Sequence, residues 1–239
     1  FITSKNMYNS AYTAHLSANY TGTDLNLSFG EMFQYYNGNH FGSVLWCKDS
    51  AGFDEKPFEW YRNTGKKLDA TTYAKMTYDF TSDLNVYADM QLRLVDYKIK
   101  GYQDDLFDMD FHEFYPFFNP KAGVNYRIDD NQRTYFVAGI TSREPARSDI
   151  KEAYGNNDTV KDETMLDIEL GYQYATNRFA FHGNAYAMLY KDQLTPNGDL
   201  SSSGYSIKEN VDKSYRLGVE LEAGYKFSNR FHLDGNLTL

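Results

Sequence analysis

Apolar and polar residues alternate along most of this 239-residue chain with the period of a β-strand. In the segment LNVYADMQLRL, Leu84, Met90 and Leu92 share one face, whereas Asp89 and Arg93 share the other. MLDIELGYQY and SYRLGVELEAGYKF repeat the pattern. It predicts ten strands and no helix longer than one turn, with the strands at residues 8–20, 24–36, 67–80, 84–99, 117–128, 133–142, 163–175, 178–192, 213–227 and 231–239.

The segments that connect these strands alternate in length. Short turns are expected at 21–24, 81–83, 129–132, 176–177 and 228–230, and long polar loops at 37–66, 102–115, 143–162 and 195–213. Ten residues at about 3.3 Å each, tilted near 40°, rise roughly 25 Å, the height of the apolar band of an outer-membrane barrel. The pattern therefore predicts an all-β, antiparallel transmembrane β-barrel with short periplasmic turns and long extracellular loops. A soluble carbohydrate-binding β-sandwich is the alternative, because its strands alternate as well.

One hairpin carries a proline and many aromatic residues. Pro120 precedes the alternating run KAGVNYRI, so we expect it at the start of a strand, where a missing N–H costs little. Phe117, Phe118, Tyr126 and Tyr135 surround the same hairpin. Rings at the ends of membrane strands are typical of interfacial girdles.

Composition and motifs narrow the function. A net charge of −9 argues against a nucleic-acid partner, and a single cysteine, Cys47, excludes an internal disulfide framework. The five histidines lie far apart, and no metalloprotease, serine-hydrolase or phosphate-loop motif occurs. No catalytic residue, no metal site and no cofactor is predicted, and the chain is not expected to be an enzyme.

Several segments resemble the barrel of TonB-dependent outer-membrane receptors, over nearly the whole chain. FFNPKAGVNY resembles that family's strand after a long loop, and TYFVAGITSREPARSD is similar to the next strand with its Arg-x-Pro end at Arg143 and Pro145. ETMLDIELGYQY resembles the Glu-Leu-Gly strand through Glu169, NAYAMLYKDQL the Tyr-Lys-Asp strand end, and SYRLGVELEAGYKF the Gly-Val-Glu strand through Gly218. The order and spacing of these segments make the resemblance specific.

The resemblance implies a 22-stranded barrel around an N-terminal plug domain. Residues 1–239 would then be a partial barrel domain of about ten strands, without the plug or the closing strands. The implied location is the cell outer membrane, and the implied partners are the lipid bilayer, the plug, a periplasmic TonB-type energy-coupling protein and a small-molecule solute. The implied activity is active transport of a scarce solute, with an iron chelate (siderophore or haem) first, then cobalamin, then a glycan or peptide. A non-transporting barrel that acts as an adhesin or surface receptor is the alternative.

Two sets of residues are candidates for contact with the solute or the plug. Mixed charges on the predicted inner face suit a wall that holds a plug through ion pairs or lines the solute's path: Asp89, Arg93, Glu169, Arg216, Glu220 and Glu222. Aromatic residues in the first two long loops suit solute capture: Trp46, Trp60, Tyr61, Tyr102, Phe107 and Phe111. Clustered carboxylates in loop 102–115 could bind Ca²⁺ or a cationic solute, but their spacing lacks the EF-hand pattern and favours a solvated loop.

Overall fold

A computed structural model describes residues 1–48, 58–201 and 204–239, which form ten strands and one short helix. The strands are β1 (Ile2–Thr21), β2 (Leu25–Trp46), β3 (Phe58–Asp79), β4 (Leu84–Tyr102), β5 (Asp108–Arg127), β6 (Gln132–Arg143), β7 (Glu163–Ala175), β8 (Phe179–Leu200), β9 (Ser206–Lys226) and β10 (His232–Thr238), with α1 (Arg147–Gly155) between β6 and β7. All ten lie antiparallel in one sheet, in chain order. The predicted barrel fragment is confirmed, and the sandwich, which needs two packed sheets, is ruled out.

The sheet curves around α1. Arg147 of α1 donates a hydrogen bond to the Asn63 side chain of β3 at 2.6 Å, and Lys208 of β9 lies 3.0 Å from the carboxylate of Asp149 in α1. Strands β3 and β9 are six places apart in the sheet, so one short helix can touch both only if that face is concave. We call this the inner face and the opposite one the outer face.

The outer face is apolar and unpartnered, as the alternation predicts. Met90 and Leu170 are 55% and 57% exposed on it, whereas their neighbours along the strands point inward. Such a surface is stable against lipid where the backbone groups of each strand are paired with the neighbouring strands, as they are for the interior strands of this sheet. Glu31 is an exception: it lies on the outer face, six residues from the start of β2, opposite Leu16 and Thr72.

Tyrosines on the inner face lie flat across glycines of the next strand. A methyl group on Gly171 would collide with the ring of Tyr135, which occupies the space left by the missing side chain. Register places each ring directly opposite its glycine, in the pairs Gly30 with Tyr73, Tyr87 with Gly123, Tyr135 with Gly171, and Tyr186 with Gly218. These cross-strand contacts fix the register of neighbouring strands and keep the tyrosine rings flat against the inner wall.

The strands are longer than the sequence predicts. β2 continues to Trp46, β5 begins at Asp108 and β8 continues to Leu200, so the connection expected at 102–115 is only 103–107. The expectations of loops at 37–66 and 195–213 are wrong for the same reason, apart from residues 49–57 and 202–203, which lie outside the described residues. Beyond the apolar band both faces are polar or aromatic, so the alternation disappears although the hydrogen-bonded ladder continues.

Pro120 does not start a strand, which corrects the prediction. It lies inside β5, opposite Met90 of β4. The ladder from β5 to β6 reaches only as far as Lys121, so Pro120 is the first residue of β5 without a partner in β6. The side-chain oxygen of Asn119 accepts a hydrogen bond from the backbone N–H of Ser142 at 2.8 Å and replaces the lost ladder contact. A proline is tolerated here because the edge needs no donor.

The nine-residue helix α1 also corrects the prediction of no helix longer than one turn. Its Ile150 and Ala153 are buried and share one side of the helix. A helix this short is unstable alone, so its packing on the inner face holds it together. In the described part of the chain, no helix has the length and apolar character needed to cross a bilayer.

Candidate functional site

The end of the sheet with the longer connections, which we call the mouth, has an apolar cluster on its inner face. Along β4, the inner face changes from polar at Asp89 and Arg93 to apolar at Val95 and Ile99. Ile150 of α1 completes a cluster formed with Val95, Tyr97 and Ile99 of β4 and Met109, Tyr115 and Phe117 of β5. The cluster is buried because α1 covers it, so α1 is part of the wall of the mouth.

A buried ion network fixes the chain that enters α1. The Arg93 guanidinium lies 2.6 Å from a carboxylate oxygen of Asp69 and 2.8 Å from one of Glu144. Burial would raise the pKa of Glu144, but the hydrogen bonds from Lys67 and Arg93 outweigh it and hold that pKa below its usual value. The charged form of Glu144 is therefore the one that docks the segment before α1.

A second ion network joins three distant parts of the chain. Lys151 of α1 lies 2.6 Å from Asp104 and 2.7 Å from Asp105 in loop 103–107, and Lys5 of β1 lies 2.6 Å from the other oxygen of Asp104. Burial would raise the pKa of Asp104, but the two lysines more than compensate and lower it. Loop 103–107 is thereby tied across the concave face to both α1 and β1.

A cavity of about 460 Å³ lies beside α1, between the helix and the upper part of β5 that has no β6 partner. Phe111, Tyr115 and Tyr154 supply aromatic surface, and the lining carries four carboxylates against one lysine: Asp110, Glu113, Asp158 and Asp162 against Lys161. Aromatic faces hold flat apolar ligands, and nearby carboxylates favour a neutral or cationic ligand over an anionic one.

Comparison with known proteins matches the whole chain, residues 1–239, to the family described as TonB dependent receptor-like, beta-barrel. The chain belongs to this family. No curated protein matches it in sequence.

Solved structures of TonB-dependent receptors share the fold at low sequence identity. The copper transporter OprC superimposes with a TM-score of 0.79 at 15% identity, over 99% of this chain and 38% of its own. The alcaligin outer membrane receptor FauA from Bordetella pertussis gives 0.65 at 12%, over 99% and 39%. The ferric yersiniabactin uptake receptor FyuA from Yersinia pestis gives 0.66 at 15%, over 99% and 36%. The chain thus spans less than two fifths of each of these receptors, and the likeness establishes the fold alone.

In this TonB-dependent receptor barrel, the six aromatic candidates for solute capture fall into two groups. Three are used in packing: Tyr61 is buried, Phe107 stacks on Tyr154 with centroids 6.1 Å apart, and Phe111 packs edge-on to Tyr97 at 6.1 Å. The others remain accessible at the mouth: Trp46 and Tyr102 are exposed and Trp60 is half-buried, edge-on to Tyr61. Their role in binding stays a prediction.

The six charged candidates all lie on the inner face, where the alternation places them. Asp89 faces Lys75 at 3.4 Å, and Glu169 accepts a hydrogen bond from the Asn184 amide at 3.3 Å. Arg216 donates to the Tyr190 hydroxyl at 3.3 Å, Glu222 lies 4.0 Å from His182, and Glu220 lies opposite Asn184. Arg93 differs, since it belongs to the network of the mouth. Contact of these residues with a plug domain stays a prediction.

Several important residues were not identified from the sequence. Asp69, Glu144, Ile150 and Lys151 hold α1 in place; Glu144 lies inside the Arg-x-Pro segment, and the other three belong to no recognisable motif. The one local signal is the spacing of Ile150 and Ala153 inside an otherwise polar segment. Three of the acidic residues predicted in loop 102–115 pair with two separate lysines, Asp104 and Asp105 with Lys151 and Asp110 with Lys100. In the described ranges no three His, Cys, Asp or Glu side chains converge to form a metal site.

Proposed function

We propose that the chain forms part of an outer-membrane transporter that captures a scarce solute at an extracellular mouth and moves it inward by TonB-dependent coupling. The folded mouth carries this proposal. Loop 103–107 and α1 are held over the inner face by Lys151, Arg93 and the apolar cluster, which is more structure than a water-filled pore needs. In this arrangement the mouth is extracellular, the short turns are periplasmic and the outer face contacts lipid.

An iron chelate, a siderophore or haem, is the first candidate for the solute. The cavity beside α1 combines aromatic faces with a lining of net negative charge, which suits a neutral or cationic chelate with flat rings. Two receptors of the same fold are named for siderophores, alcaligin and ferric yersiniabactin, and a third is named for copper. Cobalamin follows, and then a glycan or peptide. The plug domain and a TonB-type protein are the partners that such transport requires.

Equilibrium binding to the full-length receptor tests the proposal. Purified protein in detergent is titrated with ferric chelates, haem and cobalamin, and the native solute should bind with a Kd below about 1 μM. The double variant Tyr102→Ala/Tyr154→Ala removes an exposed ring at the mouth and a ring of the cavity, and it should weaken binding at least about tenfold, roughly 1.4 kcal/mol. Tyr8→Ala is the control, since Tyr8 is equally aromatic but exposed on the outer face of β1.

Uptake in cells provides the second readout. Removing the TonB-type protein should abolish uptake of the bound solute while leaving binding unchanged, because coupling acts after capture. Uptake that persists without the coupling protein contradicts active transport. Equal losses of affinity in the mouth variant and in Tyr8→Ala contradict the assignment of the mouth as the capture site.

A further inference from the structure

Histidine and methionine side chains face each other twice across the first two strands. Met7 of β1 lies directly opposite His40 of β2, and His15 of β1 lies directly opposite Met32 of β2. Each of these strands contains one histidine and one methionine. Every imidazole of the two strands therefore has a thioether directly across the ladder.

Both pairs lie on the inner face. His15 follows the inward direction of Tyr73, on which its ring stacks, whereas its neighbour Leu16 is exposed on the outer face. The register of β1 with β2 is unbroken from Thr3 onward, and Met7 is eight residues from His15. Because side chains of a strand alternate between faces, the two pairs share the same face.

The two pairs occupy the closely spaced positions of the ladder. The backbone N–H of Gly22 donates to the carbonyl of Leu25 at 2.8 Å, so these two residues form a hydrogen-bonded pair. Hydrogen-bonded and non-hydrogen-bonded pairs alternate along an antiparallel ladder, which makes Met7 and His15 members of non-hydrogen-bonded pairs. The Cα atoms of such a pair are about 4.5 Å apart, so a thioether sulfur and an imidazole nitrogen can bind one ion between them.

The imidazole of the lower pair is held in place by a tyrosine. His15 Nε2 lies 3.4 Å from the hydroxyl oxygen of Tyr73, and the two rings are stacked with an interplanar angle of 12°. Tyr73 itself lies flat across Gly30. A metal-bound histidine commonly uses its second ring nitrogen for a partner of this kind. His15 Nδ1 is then left for an ion that Met32 contacts from the other strand.

The upper pair lies at the mouth. The side-chain amide of Asn9 is 3.9 Å from the sulfur of Met7, and within the described ranges the His40 ring makes no hydrogen bond. Met32 is seven residues and His40 fifteen residues from Leu25 at the short-turn end of β2. At about 3.3 Å per residue and a tilt near 40°, these heights are roughly 18 and 38 Å, against an apolar band of about 25 Å. One pair is therefore above the band and the other within its height.

The ligand types and the nearby charge select the ion. Thioether sulfur is a soft ligand that favours Cu(I), and imidazole suits copper as well, whereas Ca²⁺ and Mg²⁺ prefer oxygen. Structural Zn²⁺ takes four ligands, more than two side chains supply. Arg147 donates a hydrogen bond to Asn63, which lies opposite His40 on the β3 side, so a positive charge borders the upper pair. Such a charge repels a divalent ion more strongly than a monovalent one.

We propose that each pair binds one Cu(I) ion between its thioether sulfur and its imidazole nitrogen. The two sites are roughly 20 Å apart in height, so an ion bound at the mouth has a site of the same chemistry below it on the inner face. A packing role, in which each sulfur only contacts the edge of an aromatic ring, is the alternative and needs no metal. The inference depends on β1 and β2 alone and is independent of the solute proposed for the cavity beside α1.

Cu(I) titration of the full-length receptor in detergent tests the two sites. Metal-free protein competes with a chromophoric Cu(I) chelator under anaerobic, reducing conditions, and Ag(I) serves as a redox-inert second probe. Each double variant, Met7→Leu/His40→Gln or His15→Gln/Met32→Leu, should bind one Cu(I) ion fewer than the wild type, and the quadruple variant two fewer. The single variants Met7→Leu and Met32→Leu should weaken Cu(I) binding at the altered site about tenfold or more. X-ray absorption of the loaded protein should show less copper–sulfur scattering in each of them.

The matched control is Met188→Leu/His232→Gln. It removes the same two residue types from the inner face, but Met188 lies opposite Arg216 and His232 opposite Lys226, so they do not form a pair. The control should bind as many Cu(I) ions as the wild type. Heat-modifiable migration on a gel first confirms that every variant has assembled its barrel.

Three results would overturn the proposal. Unchanged Cu(I) stoichiometry in both pair variants would leave the packing role. An equal loss in the control would show that pairing across the ladder is irrelevant. Full Cu(I) affinity in both single methionine variants would show that the thioethers are not ligands.

Discussion

Ile150 is the residue through which α1 joins the apolar cluster of the inner face, and it is 3% exposed. Replacing Ile150 with alanine removes most of its contact with the cluster and leaves the ion pairs of Lys151 and Glu144 untouched. The hydrogen-bonded ladder of the ten strands does not include α1, so the barrel should assemble normally. The expected effect is local: α1 should detach more often.

The size of the effect follows from the burial. Truncating a fully buried isoleucine to alanine costs about 2–5 kcal/mol, and the larger values belong to rigid sites that cannot collapse. Because a surface helix can shift to fill part of the cavity that the truncation leaves, we expect Ile150→Ala to weaken the docking of α1 by about 2–3 kcal/mol. Since about 1.4 kcal/mol is a factor of ten, the detached population should rise roughly 30- to 150-fold. Ile150→Val, which removes one methylene, should cost only about 0.5–1.5 kcal/mol.

Amide hydrogen exchange of residues 147–155 in the full-length receptor measures this population directly, because exchange of local segments reports their opening free energy. Trypsin cleavage after Arg147 and Lys151 should accelerate in parallel. Leu200→Ala is the matched control. Leu200 lies at the same end of the barrel and is also aliphatic, but it is 66% exposed, so its loss should leave exchange in α1 unchanged.

Two results would refute the reasoning. Exchange in α1 that is unchanged in Ile150→Ala would show that the ion pairs alone hold the helix. Equal acceleration in Ile150→Ala and Leu200→Ala would show that the mouth responds to any loss of apolar surface. Heat-modifiable migration on a gel confirms that each variant has assembled its barrel before exchange is compared.

Three further predictions concern the wall and the mouth. Met90→Arg places a charge on the lipid-facing outer face and should lower the free energy of unfolding by about 2–4 kcal/mol in a reversible unfolding assay. Gln91→Arg, one residue further along β4 and on the inner face, should lower it far less. Equal losses in the two variants would show that the two faces of β4 are misassigned. Glu31→Leu removes a carboxylate from the outer face and should raise the same unfolding free energy by roughly 1–2 kcal/mol, and a destabilised variant would indicate a partner for Glu31. The pKa of Asp104 is held below its ordinary 3.8, and the pKa of Lys151 is held above its ordinary 10.5. The ion pair between them should therefore hold α1 from about pH 4 to pH 10. It should be lost when the pH falls through the lowered pKa of Asp104 or rises through the raised pKa of Lys151. Trypsin sensitivity that already rises between pH 7 and pH 5 would contradict this ion-pair account.

Much of the wall could be read from the sequence. The number of strands, the short turns and the inward positions of Asp89 and Glu169 follow from alternation with a period of two. The solvent on each face acts on every residue separately, with lipid outside and a polar interior inside. The sequence of each strand therefore shows which of its side chains point outward and which point inward, independently of distant parts of the chain.

The mouth could not be read in this way. Lys5 and Asp104 are 99 residues apart, Lys67 and Glu144 are 77 apart, and both contacts depend on the curvature of the whole sheet. Beyond the apolar band the polarity of the two faces no longer differs, so the sequence could not show where the strands end. Pro120 was misplaced for the same reason, because its tolerance depends on where the neighbouring strand β6 stops.

The sequence by itself determined the membrane-spanning sheet, because period-two alternation is a local response to the environment of each face. Only the tertiary structure decided that α1 exists, that it covers Val95 and Ile99, and that loop 103–107 is tied to β1. The facing lysines Lys66 and Lys98 lie between these cases. Alternation gives the outward direction of Lys66 and Lys98, but the register of two strands places one opposite the other. Pairing of that kind is a property of neighbouring strands in the folded sheet.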